Sequence, residues 1–535
     1  MPAHLADLPW LTILIAVPAV AAALVWLVPP LRKIARPFAL VVSLVVLIGA
    51  LVMTAGFDVG NAATYQFTET HSWITEIGAS WALGINGLGL VLVLLAVVLV
   101  PIVILASWHE VELPEGMNTA DPDAAETQAA VPVAGATATA TRQAADVLTY
   151  RRAGYMALLL LLEAMMIAVF SARDLFLFYL LFEAILLPIY FMIGSYGGPG
   201  RRAAAVKFLL YGLAGGLVML AGVVGVAVRT GGGDGSMLLE NLHGVAADDP
   251  TVAMWLFISF FIAFAIKAPM VPVHTWLPDA AAEGPAGTST LLVGVLDKIG
   301  TYGMIAICLP LFPAAAQAAA PVVIVLAIIA IIYGGIVAIG QHDLMRMIAF
   351  ASVSHFGFMV LGVFVGTQTA MVGAMLYMVA HGITIAAIFL ISGFLTRRGG
   401  TADMRTYSGM QRVTPIIAGT WLVAGLATLS LPGLSGFVPE YLVFLGSFEA
   451  HWAYGVFSVI GVVLAALYIL LAYKRIFTGP VEPARSTLTD AGGRERVAIA
   501  AVMVLVLFLG LYPAPVLDVL SGTADQFVAI LGSAS

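Results

Sequence analysis

Four ionisable residues of this 535-residue chain stand inside apolar runs. Glu183 lies in "FLFYLLFEAILLPIYF", Lys267 in "FIAFAIKAPM", Lys298 in "LLVGVLDKIGTYG" and Glu440 in "GFVPEYLVFLGSF". Each costs about 2.5–3.5 kcal/mol or more in hydrocarbon unless it is paired or hydrated. Two acids and two bases on separate segments form a series of alternating sign, whose members can sense one another's charge and exchange protons. Three imidazoles accompany them: His274 after "AIKAPMVPV", His355 in "ASVSHFGFMV" and His381 in "MLYMVAHGITIAAIF". An intramembrane imidazole passes protons near neutral pH through its two nitrogens. Glu163 and Asp297 are secondary candidates, Asp297 as a local partner of a base. The plainer alternatives are ion pairs that fix helix packing and histidines that bond a neighbouring carbonyl. A haem held by two of these histidines is disfavoured, because no second histidine shares a segment with the first.

The elements that must position these groups follow from composition. Hydrophobic residues make up 61% of the chain and charged ones 10%, against about 45–50% and 25% in soluble domains. The apolar residues come in runs of roughly 18–25, long enough to cross about 30 Å of hydrocarbon as helices. Stretches such as "AGYMALLLLLEAMMIAVF" lack the alternation of barrel strands. The fold predicted is therefore an all-α, multi-pass membrane protein of about fourteen spans, starting near residues 8, 37, 83, 153, 174, 203, 252, 287, 319, 347, 368, 415, 453 and 496. Of the 23 Lys and Arg, all but Arg173, Arg229, Lys267 and Lys298 fall in or beside alternate loops of this arrangement. The positive-inside rule makes that side cytoplasmic and places both termini outside.

Two spans carry Pro and Gly at matched positions: "AIKAPMVPVHTW" in the seventh and "LSLPGLSGFVPEYL" in the twelfth. Lying five helices apart, they fit two inverted five-helix repeats, spans 4–8 and 9–13, with an ion pathway near the midplane. The expected organisation is three N-terminal helices over 1–110, a cytoplasmic loop over 111–150, the repeats over 151–310 and 317–480, and a last helix with its tail over 495–535. Residues 112–149 are rich in Ala, Thr and Pro and offer no core. Deleting them is expected to leave assembly intact on native gels; loss of assembly would make them a docking segment for a partner.

Composition also excludes some chemistry. The single Cys308 cannot make an internal disulfide, a four-cysteine iron–sulfur cluster or a zinc ribbon on this chain. No phosphate-binding G-x-x-x-x-G-K-[ST] loop occurs. The start, "MPAHLADLPWLTILIAVP", lacks a basic leader region and reads as a first, retained helix. No cofactor is expected on the chain, and a lipid bilayer, with no nucleic acid, is its expected surrounding.

The motifs "AFAIKAPMVPVHTWLPDA", "VGVLDKIGTYGM", "RMIAFASVSHFGFM", "MVAHGITIAAIFLISG" and "LPGLSGFVPEYLVFLGSF" closely resemble the antiporter-like membrane subunits of respiratory complex I. They also resemble relatives in multisubunit cation/proton antiporters and membrane-bound hydrogenases. The resemblance covers nearly all of residues 153–480. An acid on the twelfth span is similar to the M type of that family, where the L and N types carry lysine, and Lys298 within its motif also looks like M. The chain ends soon after the fourteenth span, without the long lateral helix of the L type. The resemblance implies a subunit of a bacterial inner-membrane NADH:quinone oxidoreductase, beside L- and N-type and small membrane subunits, with FMN, iron–sulfur clusters and quinone in the partners. It further implies Glu183 as the input carboxylate, Lys267 as its ion-pair partner, Lys298 as the central carrier, His381 as a bridge and Glu440 as the exit carboxylate. The pattern departs at Ala281 and Ala282, where the family often has a histidine after "LPDA", and in the longer 112–149 segment. The runner-up is a subunit of a Na+/H+ antiporter or hydrogenase complex. A stand-alone transporter would need a substrate pocket in place of a lateral row of charges.

Overall fold

The computed structural model describes residues 8–111 and 138–532. Among them, thirteen helices are long and apolar enough to cross a membrane. Twelve of these are spans 1 to 11 and span 13: Trp10–Leu27, Ala35–Thr54, Gly87–Ala106, Ala138–Ser171, Leu175–Tyr196, Arg201–Thr230, Pro250–Lys267, Ala286–Leu311, Pro313–Gly340, Leu344–Phe364, Gln368–Gly399 and Trp452–Phe477. Span 12 is split into Pro415–Thr428 and Phe437–Ala450, and span 14 is Gly493–Leu511, whose first turn carries Arg494, Glu495 and Arg496. These two complete the fourteen crossings expected.

The remaining long helix, Ala514–Gly532, follows span 14. Thr523 donates to the carbonyl of Ala62 at 3.1 Å and Gln317, near the start of span 9, donates to that of Leu531 at 2.6 Å. The helix thus lies across span ends on the face opposite the arginine-rich one. On that face a hairpin joins spans 2 and 3: β1 (Gln66–Ile74) runs antiparallel to β2 (Ala79–Ile85), with Glu69 opposite Leu83 and His71 opposite Trp81. Asp174 ties it down, one oxygen capping span 5 through the N–H groups of Phe176 and Leu177 and the other accepting from Ser80 N at 2.9 Å. Neither the hairpin nor the last helix is among the elements predicted. Of the loop expected over 111–150, residues 112–137 lie outside the described ones; the helix that leads into span 4 starts at Ala138 and the apolar span itself at Asp146. The loop deletion proposed above is therefore better confined to 112–137.

Spans 8, 10 and 11 are buried along their whole apolar windows, whereas spans 1, 2, 5, 6, 7, 9 and 13 leave half or more of theirs unburied within the chain. A helix apolar all round belongs inside a bundle, and these three carry Lys298, His355 and His381. The expected breaks are present. Span 7 stops at Lys267, and its chain resumes as Trp276–Glu283 after a turn containing Pro269 and Pro272, which supply no N–H. Carbonyls freed at the break find other donors: Trp276 Nε1 bonds Ile266 O at 2.9 Å and Met270 N bonds Ala265 O at 2.9 Å. Asp279 anchors the resumed half by ion pairs to Lys207 of span 6, at 2.6 Å, and to Arg346 of span 10. In span 12 the gap Leu429–Gly436 holds Gly433 at φ +89° and Ser430 at φ +61°. Serine in the left-handed region is strained, at about 1–3 kcal/mol.

Candidate functional site

The two interruptions place charges at helix ends. Lys267 is the last residue of Pro250–Lys267, where the partial negative charge of the helix favours a cation. Glu440 sits in the first turn of Phe437–Ala450, where the partial positive charge favours a carboxylate. Both are buried, at 4% and 3% exposure. Glu183 closes the first half of span 5, which kinks at Ile185 ahead of Pro188. Its carboxylate lies against Gly216 of span 6, where any Cβ would strike it.

Lys298 follows a π-helical turn, Leu292–Leu296. Its ammonium bonds Val293 O at 2.6 Å, meets His381 Nδ1 at 2.7 Å and lies 4.9 Å over the Phe356 ring. From there a second set of bonds runs to span 12. His355 and His381 have ring centroids 5.3 Å apart. His355 Nε2 is 2.9 Å from Tyr468 OH and its Nδ1 is 3.2 Å from Tyr377 OH. Tyr377 donates to Glu440 Oε2 at 3.1 Å, and the Ser430 hydroxyl donates to the same oxygen. One proton assignment satisfies all of these: Tyr377 gives its hydrogen to Glu440, His355 Nδ1–H donates to Tyr377, and Tyr468 donates to His355 Nε2. The direct bonds are interrupted between the two imidazoles, where His381 Nε2 has no hydrogen-bond partner among the described residues.

The structure thus brings Lys298, His381, His355 and Glu440 together. Glu183 and Lys267 are within electrostatic reach of each other but form no ion pair within 4.0 Å. Lys267 lies 5.0 Å from the Phe182 ring centroid instead. His274 packs its ring against Tyr333, at 5.1 Å, and among the described residues neither of its nitrogens nor the buried carboxylate of Glu163 has a hydrogen-bond partner. Asp297 is fully buried, and the charges of both Lys298 and Lys267 reach it. Tyr377, Tyr468 and Ser430 are not among the predicted site residues. Tyr377 was detectable, since it precedes His381 by four residues on an apolar helix and so shares its face. Just beyond span 3, Glu110 accepts from Gly287 N, at the arginine-rich end of span 8, at 3.1 Å. Burial pushes this carboxyl up, and the hydrogen bond from Gly287 partly opposes the shift.

A prediction arises directly. Tyr377→Phe removes the hydroxyl that joins His355 to Glu440 and leaves the packing intact, so any proton flow that uses the chain should fall by about 100-fold, at the low end for a positioned proton donor. Uptake measured in vesicles and unchanged by the substitution would show that Tyr377 only packs.

A profile of the family described as "NADH:quinone oxidoreductase/Mrp antiporter, TM" matches residues 172–467. The chain is 43% identical to NADH-quinone oxidoreductase subunit M of Mycobacterium tuberculosis over 534 residues, covering 98% of this chain and 95% of the relative. It is 34% identical to subunit M of Rhodobacter capsulatus, covering 97% and 96%. Its fold superposes on a chain of the respiratory complex I of Thermus thermophilus with a TM-score of 0.81 at 28% identity, covering 98% of this chain and 100% of that one. A chain of the Mrp complex of Dietzia sp. shares the fold, with a TM-score of 0.78 at 21% identity, covering 98% and 99%. A multi-pass membrane chain with this coverage and these interrupted helices belongs to the antiporter-like membrane subunits of NADH:quinone oxidoreductase, in the subunit M group.

Proposed function

We propose that this chain translocates protons across the bacterial inner membrane, driven by quinone reduction in partner subunits that hold FMN and iron–sulfur clusters. The observation that carries the reading is the buried polar sequence Lys298–His381, His355–Tyr377–Glu440, which links the central span 8 to the interrupted span 12. In this reading the arginine-rich face is cytoplasmic and both termini are outside. Protons enter near Glu183, are held at Lys267 and Lys298, and leave through Glu440, with L- and N-type and small membrane subunits as neighbours.

Magnitudes decide what must drive the step. Opposite charges about 7 Å apart at an effective dielectric near 20 attract by roughly 2.4 kcal/mol. Moving one charge against about 150 mV costs roughly 3.5 kcal/mol. Separating Glu183 from Lys267 is therefore insufficient by itself, and a change in hydration of the buried lysines supplies the rest.

The test is Glu440→Gln against Glu440→Asp in the assembled complex, reconstituted in vesicles and driven by NADH. The Gln variant keeps the acceptor oxygen but cannot release a proton, so pumping should fall by at least tenfold or so, and Asp should restore much of it. Equal pumping by the Gln variant and the parent would remove Glu440 from the path. Sodium-dependent uptake with no proton movement would favour the antiporter alternative.

A further inference from the structure

We propose that Asp297 is a proton carrier joining the two halves of the path, taking the proton held at Lys267 and presenting it to Lys298. The proposal rests on the proton-translocating reading above. That reading leaves a gap, because among the described residues Lys298 is hydrogen-bonded to Val293 O and His381 and not to Lys267.

The packing of span 8 shows what lies in the gap. Gly300, one helical turn after Asp297, fits against the backbone of Phe264 and Ala268 with no room for a Cβ, and Gly303 fits against the Phe264 ring. Residues three apart share a helix face. The face carrying Asp297 is thus pressed onto the end of Pro250–Lys267, where Lys267 is the last residue. The next residue, Lys298, is rotated by about 100° and belongs to a different face. One turn before it, Gly294 packs 3.3 Å (for a built Cβ) from the Gly382 carbonyl of span 11, and Lys298 itself bonds His381 on that span. The dipeptide Asp297–Lys298 therefore straddles the two halves, the acid toward span 7 and the base toward span 11.

Asp297 has no exposed surface, and neither carboxylate oxygen has a hydrogen-bond partner among the described residues. A buried acid that serves packing alone would be expected to satisfy those oxygens, since leaving them unpaired is costly. The charges of both Asp297 and Glu183 reach Lys267. The step balances in two transfers. The Lys267 ammonium gives a proton to the Asp297 carboxylate, leaving a neutral amine and a neutral acid. The acid then gives its O–H proton to the neutral Lys298 amine, restoring the carboxylate and forming the ammonium, which faces His381.

The experiment uses the whole complex in vesicles, with NADH and quinone supplied, and reads protons moved per electron. Asp297→Asn should lower the ratio by about tenfold, Asp297→Glu should restore at least half of it, and Asp297→Asn combined with Lys267→Ala should be no worse than the weaker single variant. An undiminished ratio in Asp297→Asn, or a Glu variant no better than Asn, would overturn the proposal. Should the Asn variant not assemble, the Glu variant decides: near-parental pumping supports the carrier and a tenfold loss in assembled complex refutes it. Glu440→Gln is run in parallel. If it loses pumping while Asp297→Asn does not, only the Asp297 step falls; if it too pumps fully, the relay itself falls.

Discussion

Lys298→Met is expected to leave an assembled complex whose proton pumping is reduced roughly 100-fold, within the range that a positioned proton carrier contributes. Methionine fills much the same volume with no charge and no exchangeable proton. Its cost to folding is bounded, because the substitution strips a donor from Val293 O and from His381 Nδ1, and a buried acceptor left unsatisfied costs about 1–3 kcal/mol. A bundle of this size tolerates that. The cost to transport is larger, because Lys298 is the group of the central span that contacts the imidazole side of the chain, and methionine cannot hold a proton there. The measurement is acidification of vesicles by the purified variant complex, with assembly checked on native gels and quinone reduction followed in parallel. Pumping at the parental ratio of protons to electrons would show that Lys298 only pairs and packs.

Glu183 and Lys267 are expected to behave as one unit. Removing either partner strands a charge in a low-dielectric site, which the protein relieves by neutralising it or admitting water. Glu183→Gln and Lys267→Ala should each reduce pumping severely, and the double variant should be no worse than the more damaging single one. Residues that interact show coupling of about 0.5–3 kcal/mol, whereas distant ones simply add. Since the two make no direct ion pair and Asp297 also acts on Lys267, a coupling of about 1 kcal/mol, near the lower end of that range, is expected. Strict additivity in well-assembled complexes would defeat the pairing. A separate check comes from Gly216→Ala, whose methyl would displace the Glu183 carboxylate and should mimic Glu183→Gln in the same assay.

The spans and the intramembrane charges were legible because hydrocarbon leaves few alternatives. An unpaired backbone group or a charge is costly there, so long apolar runs must be helices and their ionisable residues must have a purpose. The breaks at Lys267 and before Glu440 were legible through Pro269, Pro272, Pro432 and Gly433. Of the phenols, Tyr377 carried a signal in its spacing from His381, but Tyr468 did not, because tyrosine is unremarkable in an apolar span and its partner His355 lies on another helix, far away in sequence. The hairpin escaped notice because β1, "QFTETHSWI", is two-thirds polar and mostly exposed, so it shows little alternation. The last helix carried a fainter signal: Asp518 and Asp525, two turns apart in "APVLDVLSGTADQFVAILG", mark a polar stripe that suits a helix lying on a surface.

Span 11 holds one end of each connection described above: His381 toward Lys298 and, one turn away, Tyr377 toward Glu440. Its 32 residues form a continuous helix, a rod of about 48 Å at 1.5 Å per residue. Turning such a rod by ~20° about its own axis would sweep side-chain atoms ~6 Å from that axis through ~2 Å, enough to part a hydrogen bond. Both contacts would open or close in the same stroke, as cams on one shaft do. Such a turn would gear the inner and outer ends of the proposed proton route together, without any signal having to travel between them.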